Sequence, residues 1–403
     1  MQKVQKKFAT DFIWSIAALV TMNGVLQLFV YPLLNRQLGE AEFGNVLYVL
    51  GIVAVFAPSV GLAANNIRLV ESREKKVLNG DSLLAMLPLL AVSAIVFFAV
   101  CNGYFSSASD YVFAALLTVL TPLRYYGDVE YRMTLNYKGY FVYYLVLSLG
   151  YVAGALLYPL TKSWILCFLL GEASVWLLLL TKGHIYKPLK KSENTLTVSK
   201  KVLTLAASYL LVNMVLNLDR VLLQHLIDSS TVTVYYVASL LGKTAALLVG
   251  PLNGVVIGYL TKGKTKPITK KSFSFVSLAV FLVGAVLFAG ISIVMPIFVK
   301  LLYPDIYNSV LSVSALANLS QIICFASSLL LTVMLTFCSE KWQFAIQLVY
   351  AILFLILSIS FTASDGLQGF VTASLVANSL RLVFTVGAGL AILIKKEKTE
   401  AKV

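Results

Sequence analysis

The chain has 403 residues, of which 59% are hydrophobic and only 12% charged, and its mean hydropathy is +0.86. Soluble domains are about 45–50% apolar and about 25% charged, so this composition excludes a soluble globular protein and indicates a chain that crosses a membrane many times. The net charge of +14 could suit nucleic acid, but the positions of the charges point elsewhere.

In chain order, the apolar runs lie near 11–34, 43–66, 82–104, 109–130, 139–160, 163–181, 202–226, 232–260, 273–301, 308–336, 341–363 and 367–394. Most exceed the roughly 20 residues that a helix needs to cross a bilayer core, which predicts an all-α integral membrane protein of about 12 transmembrane helices. The first run follows a basic start. It is nevertheless longer than the apolar core of a signal peptide and lacks a small-residue cleavage site, so it is expected to remain as a span. With the N-terminus inside, 26 of the 32 Lys and Arg fall on the cytoplasmic side, around 3–7, 68–76, 124–138, 182–201, 262–271, 341 and 395–402. The opposite side holds Arg36, Lys162 and Lys300. This asymmetry places both termini in the cytoplasm, and the excess charge orients the chain instead of binding nucleic acid. Cys101, Cys167, Cys324 and Cys338 lie in or at the end of spans without C-x-x-C spacing, which suggests neither disulfides nor a metal site.

Ionisable and amide side chains inside spans are costly, and each is a functional candidate. The first span gives Asn23, Gln27 and Tyr31. The fourth carries Arg124 and Asp128 at i, i+4, spaced to pair with each other, and the sixth carries Glu172, read either as a protonated buried acid or as a coupling-ion site. In the seventh, "VNMVLNLDRVLLQHL", Asn213, Asn217, Arg220 and Gln224 share one helical face, and Asp219 lies about 100° away to serve another partner. The eighth span adds Tyr236, Ser239 and Lys243, and the tenth Ser314, Asn318 and Gln321. The eleventh has Gln343, Gln347 and Tyr350, and the twelfth Ser374, Asn378 and Arg381. Uncharged stripes of this kind can simply join helices through hydrogen bonds. Arg220, Lys243 and Arg381 put three cations in one half of the chain, an excess that suits an anionic substrate.

Where the eighth span ends, "GYLTKGKT" (258–265) fits the phosphate-cradling pattern G-x-x-x-x-G-K-[ST]. That pattern needs a strand before it and a helix after it. Here an apolar helix precedes it and a short basic loop follows, so Lys262, Lys264 and Lys266 are read as orienting charges and ATP is not expected. His184 and His225 have no base, nucleophile or metal partner at a useful spacing, and no catalytic constellation, metal site or cofactor site is expected.

The longest polar interruption, 182–201, divides the spans six and six. It predicts an N-terminal lobe over 1–181, a cytoplasmic linker over 182–201, a C-terminal lobe over 202–394 and a cytoplasmic tail over 395–403. "QLGEAEFGNVLYV" from Gln37 aligns without gaps with "HLIDSSTVTVYYV" from His225, pairing Glu40 with Asp228 and Tyr48 with Tyr236. Both matches run in the same direction through the membrane, as a parallel repeat would.

"YPLLNRQLGEAEFGNVLYVLGI" (31–52), with L-G-x-x-x-[FY]-G from Leu38 to Gly44, and "NLDRVLLQHLID" (217–228) resemble signatures of the bacterial polysaccharide transporter family. That family comprises the Wzx-type flippases for lipid-linked oligosaccharides, within a superfamily that includes multidrug antiporters and the lipid II flippase. Ile227 and Thr233 stand where the family often has glycine.

The resemblance implies two six-helix lobes around a central cavity, open alternately to each side of the bacterial cytoplasmic membrane. It also implies an undecaprenyl-pyrophosphate-linked oligosaccharide as substrate, for capsule or O-antigen assembly, with membrane lipids and the polymerase machinery as partners. Asp219 and Arg220 are the positions that match its motif. Lys243, Arg381 and Arg124, with Asn213, Asn217, Gln224 and Asn378, complete the expected substrate contacts, and Asp219 and Glu172 are the expected coupling-ion sites. A cation-coupled multidrug antiporter is the alternative, although a cationic drug would call for a predominantly acidic cavity. A membrane glycosyltransferase or polymerase would need large external loops, and the expected loops are short.

Overall fold

The computed structural model describes residues 2–72, 77–246 and 268–400, and the described residues contain no strand. The first passage is α1 (Gln2–Val25), a π-helical turn at Leu26–Val30 and α2 (Tyr31–Leu38). The π turn has a local cause. Pro32 has no N–H and its ring crowds the carbonyl four residues back, so the ladder widens by one residue just before it. Then follow α3 (Glu40–Glu71), α4 (Asn79–Cys101), α5 (Ala108–Gly127), the short α6 (Val129–Met133), α7 (Tyr137–Thr161), α8 (Trp164–Lys182), α9 (Thr195–Leu226) and α10 (Ser229–Ala246). The remainder is α11 (Lys270–Leu302), α12 (Tyr307–Met334) and α13 (Glu340–Glu400).

Among the described residues, nine helices are long and apolar enough to cross a membrane. Helices α5 and α10, as described, are not among those nine, and α13 is two helices divided by non-helical backbone at Asp365 and Gly366. Gly366 has φ +56°, ψ −132°, a conformation that glycine adopts without penalty. Eleven of the twelve apolar runs fall on described helices, including the break between the eleventh and twelfth, and the second half of the eighth (247–260) lies outside the described residues. The "GYLTKGKT" motif, with Lys262, Lys264 and Lys266, lies outside the described residues.

The chain forms two compact units, Met1–Val221 and Leu222–Val403. In the first, α7 packs on α8 and α1, and α5 packs on α3 and α8. Small residues let backbones meet, as is usual where helices associate in lipid. A Cβ on Gly150 would lie 2.6 Å from the Cα of Gly171, and one on Gly154 would lie 2.5 Å from the Cα of Cys167. In the second unit, α12 packs on α10, α11 and α13, with Phe273, Leu330, Met334 and Leu393 in its core.

The polar segment 182–201, expected as a linker, is hydrogen-bonded into the first unit. Asn79 donates to the carbonyls of His184 and Lys187, and the Gly80 N–H donates to Lys190. Asp81 accepts from the Ser192 N–H, its hydroxyl and the Thr195 hydroxyl, and Tyr186 donates to the Leu123 carbonyl at 2.6 Å.

Candidate functional site

In the first unit, the polar face of α9 lies along α3. Lys201 pairs with Glu71 at 2.6 Å, and the Asn66 amide donates to the Tyr209 hydroxyl at 2.8 Å. Asn213 donates to the Ser59 hydroxyl at 2.9 Å, and Arg220 Nη1 donates to the Leu47 carbonyl at 3.4 Å. As α9 numbers rise, α3 numbers fall, so the helices run antiparallel. From Lys201 to Arg220 the seam covers about 28 Å of helix at 1.5 Å per residue, close to the thickness of a bilayer core. Gly51 makes room for Arg220: a Cβ there would meet the arginine's Cδ at 3.0 Å. Two members of the stripe expected on the seventh span meet α3 in this way. Asn213 and Arg220 face α3, Asn217 donates back to the Asn213 carbonyl, and Gln224 is half-buried. Asp219 is buried, and its carboxylate accepts the N–H of Arg220 at 2.9 Å.

Deeper in the same unit, Arg124 is held by Glu172, not by Asp128 as the i, i+4 spacing suggested. Its Nε lies 3.0 and 2.9 Å from the two carboxylate oxygens, and both side chains are almost fully buried. Tyr151 donates to Glu172 at 2.8 Å, and the Arg124 guanidinium lies over the Tyr125 ring at 4.0 Å. The spacing misled because α5 stops at Gly127, leaving Asp128 as its C-terminal cap with its carboxylate turned to other donors. Asn65, Tyr144 at 2.9 Å and Arg132 at 3.9 Å surround it.

The second unit holds the other two cations. Arg381 is 5% exposed, donates to the Cys324 sulfur at 3.2 Å and stacks its guanidinium over Tyr350 at 4.9 Å. One turn before it, Asn378 donates to Ser320, which shares a 2.8 Å hydrogen bond with Ser374. Lys243 lies over the Tyr235 ring at 5.3 Å. From Tyr235 a run of ring contacts passes through Phe370 (5.1 Å), Phe354 (6.1 Å) and Tyr350 (5.9 Å), so both cations flank one aromatic tier.

Lys243 is positioned by the residue before it. The Asn318 side chain accepts from the Gly242 N–H at 2.8 Å and donates to the Ala238 carbonyl at 2.7 Å, inserting an amide into the α10 ladder. Composition and spacing did not mark Cys324, Tyr235, Tyr151 or Asn65 as functional, because most of their partners lie on other helices. A cysteine or tyrosine within an apolar run otherwise reads as packing.

No family model matches the sequence, and no curated protein matches it. Solved structures do. An inward-facing multidrug resistance MATE transporter of the MOP superfamily aligns with TM-score 0.69 and 13% identity, covering 94% of this chain and 98% of its own. The lipid II flippase MurJ in an inward closed conformation aligns with TM-score 0.69 and 15% identity, covering 95% of this chain and 90% of its own. A MATE protein in the straight conformation gives TM-score 0.64 at 12% identity, with 95% and 96% covered. The chain is therefore an all-helical, multi-pass membrane protein with the fold shared by MATE transporters and MurJ.

Proposed function

We propose that this protein is a flippase that moves undecaprenyl-pyrophosphate-linked oligosaccharide from the inner to the outer leaflet of the bacterial cytoplasmic membrane by alternating access. The observation that carries the reading is the charge inside the second unit. Arg381 sits far from the ends of its span and Lys243 lies in the last turn of α10, whereas every carboxylate there (Asp228, Asp305, Glu340, Asp365, Glu397 and Glu400) lies at or beyond a helix end. A guanidinium held by a thiol and a ring, as Arg381 is, suits an anionic headgroup attached to sugars.

In this reading Arg220, Lys243 and Arg381 hold the pyrophosphate, and Asn213, Asn217, Gln224 and Asn378 contact sugars. Arg124 already holds Glu172, so coupling through that acid would require Arg124 to release it, and Asp219 is the better coupling-ion candidate. Outward movement of an anion from an inside-negative cell gains about 2.3 kcal/mol per charge per 100 mV, so ATP is not required. The assembly machinery for capsule or O-antigen would be the partner. The second reading, a cation-coupled multidrug antiporter, draws on the fold shared with MATE transporters.

The test is complementation of polymer export in a flippase-deficient strain, with membrane abundance measured beside it. Arg381→Lys should keep partial export, Arg381→Ala should lose most of it and Arg381→Glu all, at wild-type abundance, because a guanidinium grips phosphate with two donors and an ammonium is a point charge. Normal export by an abundant Arg381→Glu protein would refute the assignment. Raised resistance to cationic drugs without export would favour the antiporter.

A further inference from the structure

A cavity of about 590 Å³ lies at the basic end of the first unit, between the start of α7 and the end of α8. Lys138, the second residue of α7, and Lys182, the last of α8, both line it, together with His184. Among the described residues, neither ammonium nor the imidazole has a hydrogen bond or ion pair. The one acid in the lining, Glu130, is engaged by the backbone N–H of His184 at 3.0 Å. The wall also includes Val142 and Leu178, one turn into the apolar stretches of the two helices. On the same stretches Val142 is 42%, Leu149 60% and Leu177 61% exposed, which in a membrane protein means facing acyl chains.

A basic, roomy cavity above a lipid-facing flank combines two requirements that a soluble anion does not have together. We propose that this cavity binds the phosphate of an anionic phospholipid, whose acyl chains lie along α7 and α8. Lys138 and Lys182 supply charge-assisted contacts to the phosphate oxygens, and the cavity, far larger than one phosphate ion needs, accepts the rest of the headgroup. The docked 182–201 segment fixes one wall, since Asn79 and Glu130 pin His184 on both sides of its backbone. The site is independent of the transported substrate.

The full-length protein in nanodiscs of phosphatidylcholine, doped with phosphatidylglycerol, provides the test by native mass spectrometry of lipids retained after release. Wild-type protein should retain phosphatidylglycerol over phosphatidylcholine. The double variant Lys138→Gln/Lys182→Gln should retain it about tenfold less. Lys190→Gln/Lys191→Gln, which removes the same charge from the neighbouring exposed surface, should behave as wild type. Equal loss in both double variants would mean general surface attraction and overturn the site. Displacement of the lipid by millimolar inorganic phosphate would reassign it to a soluble anion. Photo-crosslinking of wild-type protein with a headgroup-labelled phosphatidylglycerol should mark peptides 130–142 and 178–184 without relying on any variant, and labelling elsewhere would refute the proposal.

Discussion

Arg124 and Glu172 are both nearly inaccessible, so each neutralises a charge that the membrane interior would otherwise penalise. Removing one partner of a buried pair typically costs about 3–5 kcal/mol, whereas replacing both by apolar residues can be close to neutral. Glu172→Ala should therefore lower membrane abundance and the unfolding midpoint in detergent, and Arg124→Leu/Glu172→Leu should recover most of the loss. A double variant no better than the single one would show that Tyr151 and the Tyr143 hydroxyl, which donates to the Arg124 carbonyl, matter more than the charges. Arg381 differs in kind. Its contacts are a thiol and a ring, so Arg381→Ala leaves no carboxylate stranded and should spare abundance while affecting transport.

Among the elements, α10 and α13 carry the local features with the clearest causes. Asn318 satisfies both Ala238 and Gly242 on α10, and a Cβ at Gly242 would come within 3.0 Å of the amide oxygen and 2.8 Å of Gln321 Cβ. Asn318→Leu should cost about 1–3 kcal/mol by leaving a buried backbone donor or acceptor without its partner. It should also shift Lys243 on its helix, so the check is a melting curve together with export. The turn within α13 depends on Gly366 for its positive φ and on Gly369 for space, since a Cβ there would overlap the Phe361 carbonyl. Gly366→Ala and Gly369→Ala should each destabilise by about 1–3 kcal/mol. Gly290→Ala, on α11 with nothing within 4 Å, should not, and equal melting of all three would remove the steric argument.

For the whole molecule the testable property is orientation. The charge asymmetry predicts that reporters active only outside the cell light up when fused at 107 or 229 and stay dark at 191 or 266. The reverse pattern would invert the direction of transport in the proposed function. The docked 182–201 segment adds a second expectation at this scale. Protease added to inside-out vesicles should cut slowly there despite its lysines, because Asp81, Asn79 and Tyr186 tie the backbone down. Asp81→Ala should speed the cut. Rapid cleavage of the wild-type segment would show that these bonds do not hold it.

The sequence by itself determined where the apolar passages run. Runs of about 20 apolar residues have one way to satisfy their backbone in lipid, and so the division between 341–363 and 367–394 was legible, while the structure showed that Gly366 makes it. It also determined that Asn213, Asn217, Arg220 and Gln224 share a face, because helical periodicity is local. Only the tertiary structure decided what that face meets, namely Ser59 and Leu47 for Asn213 and Arg220, and that Arg124 belongs to Glu172 and not to Asp128. Partners 48 residues apart, as Arg124 and Glu172 are, leave no periodic trace in one chain. The 182–201 segment was opaque for a similar reason: polar composition reads as a free linker, whereas its hydrogen bonds come from Asn79, Asp81 and Glu130, more than fifty residues upstream.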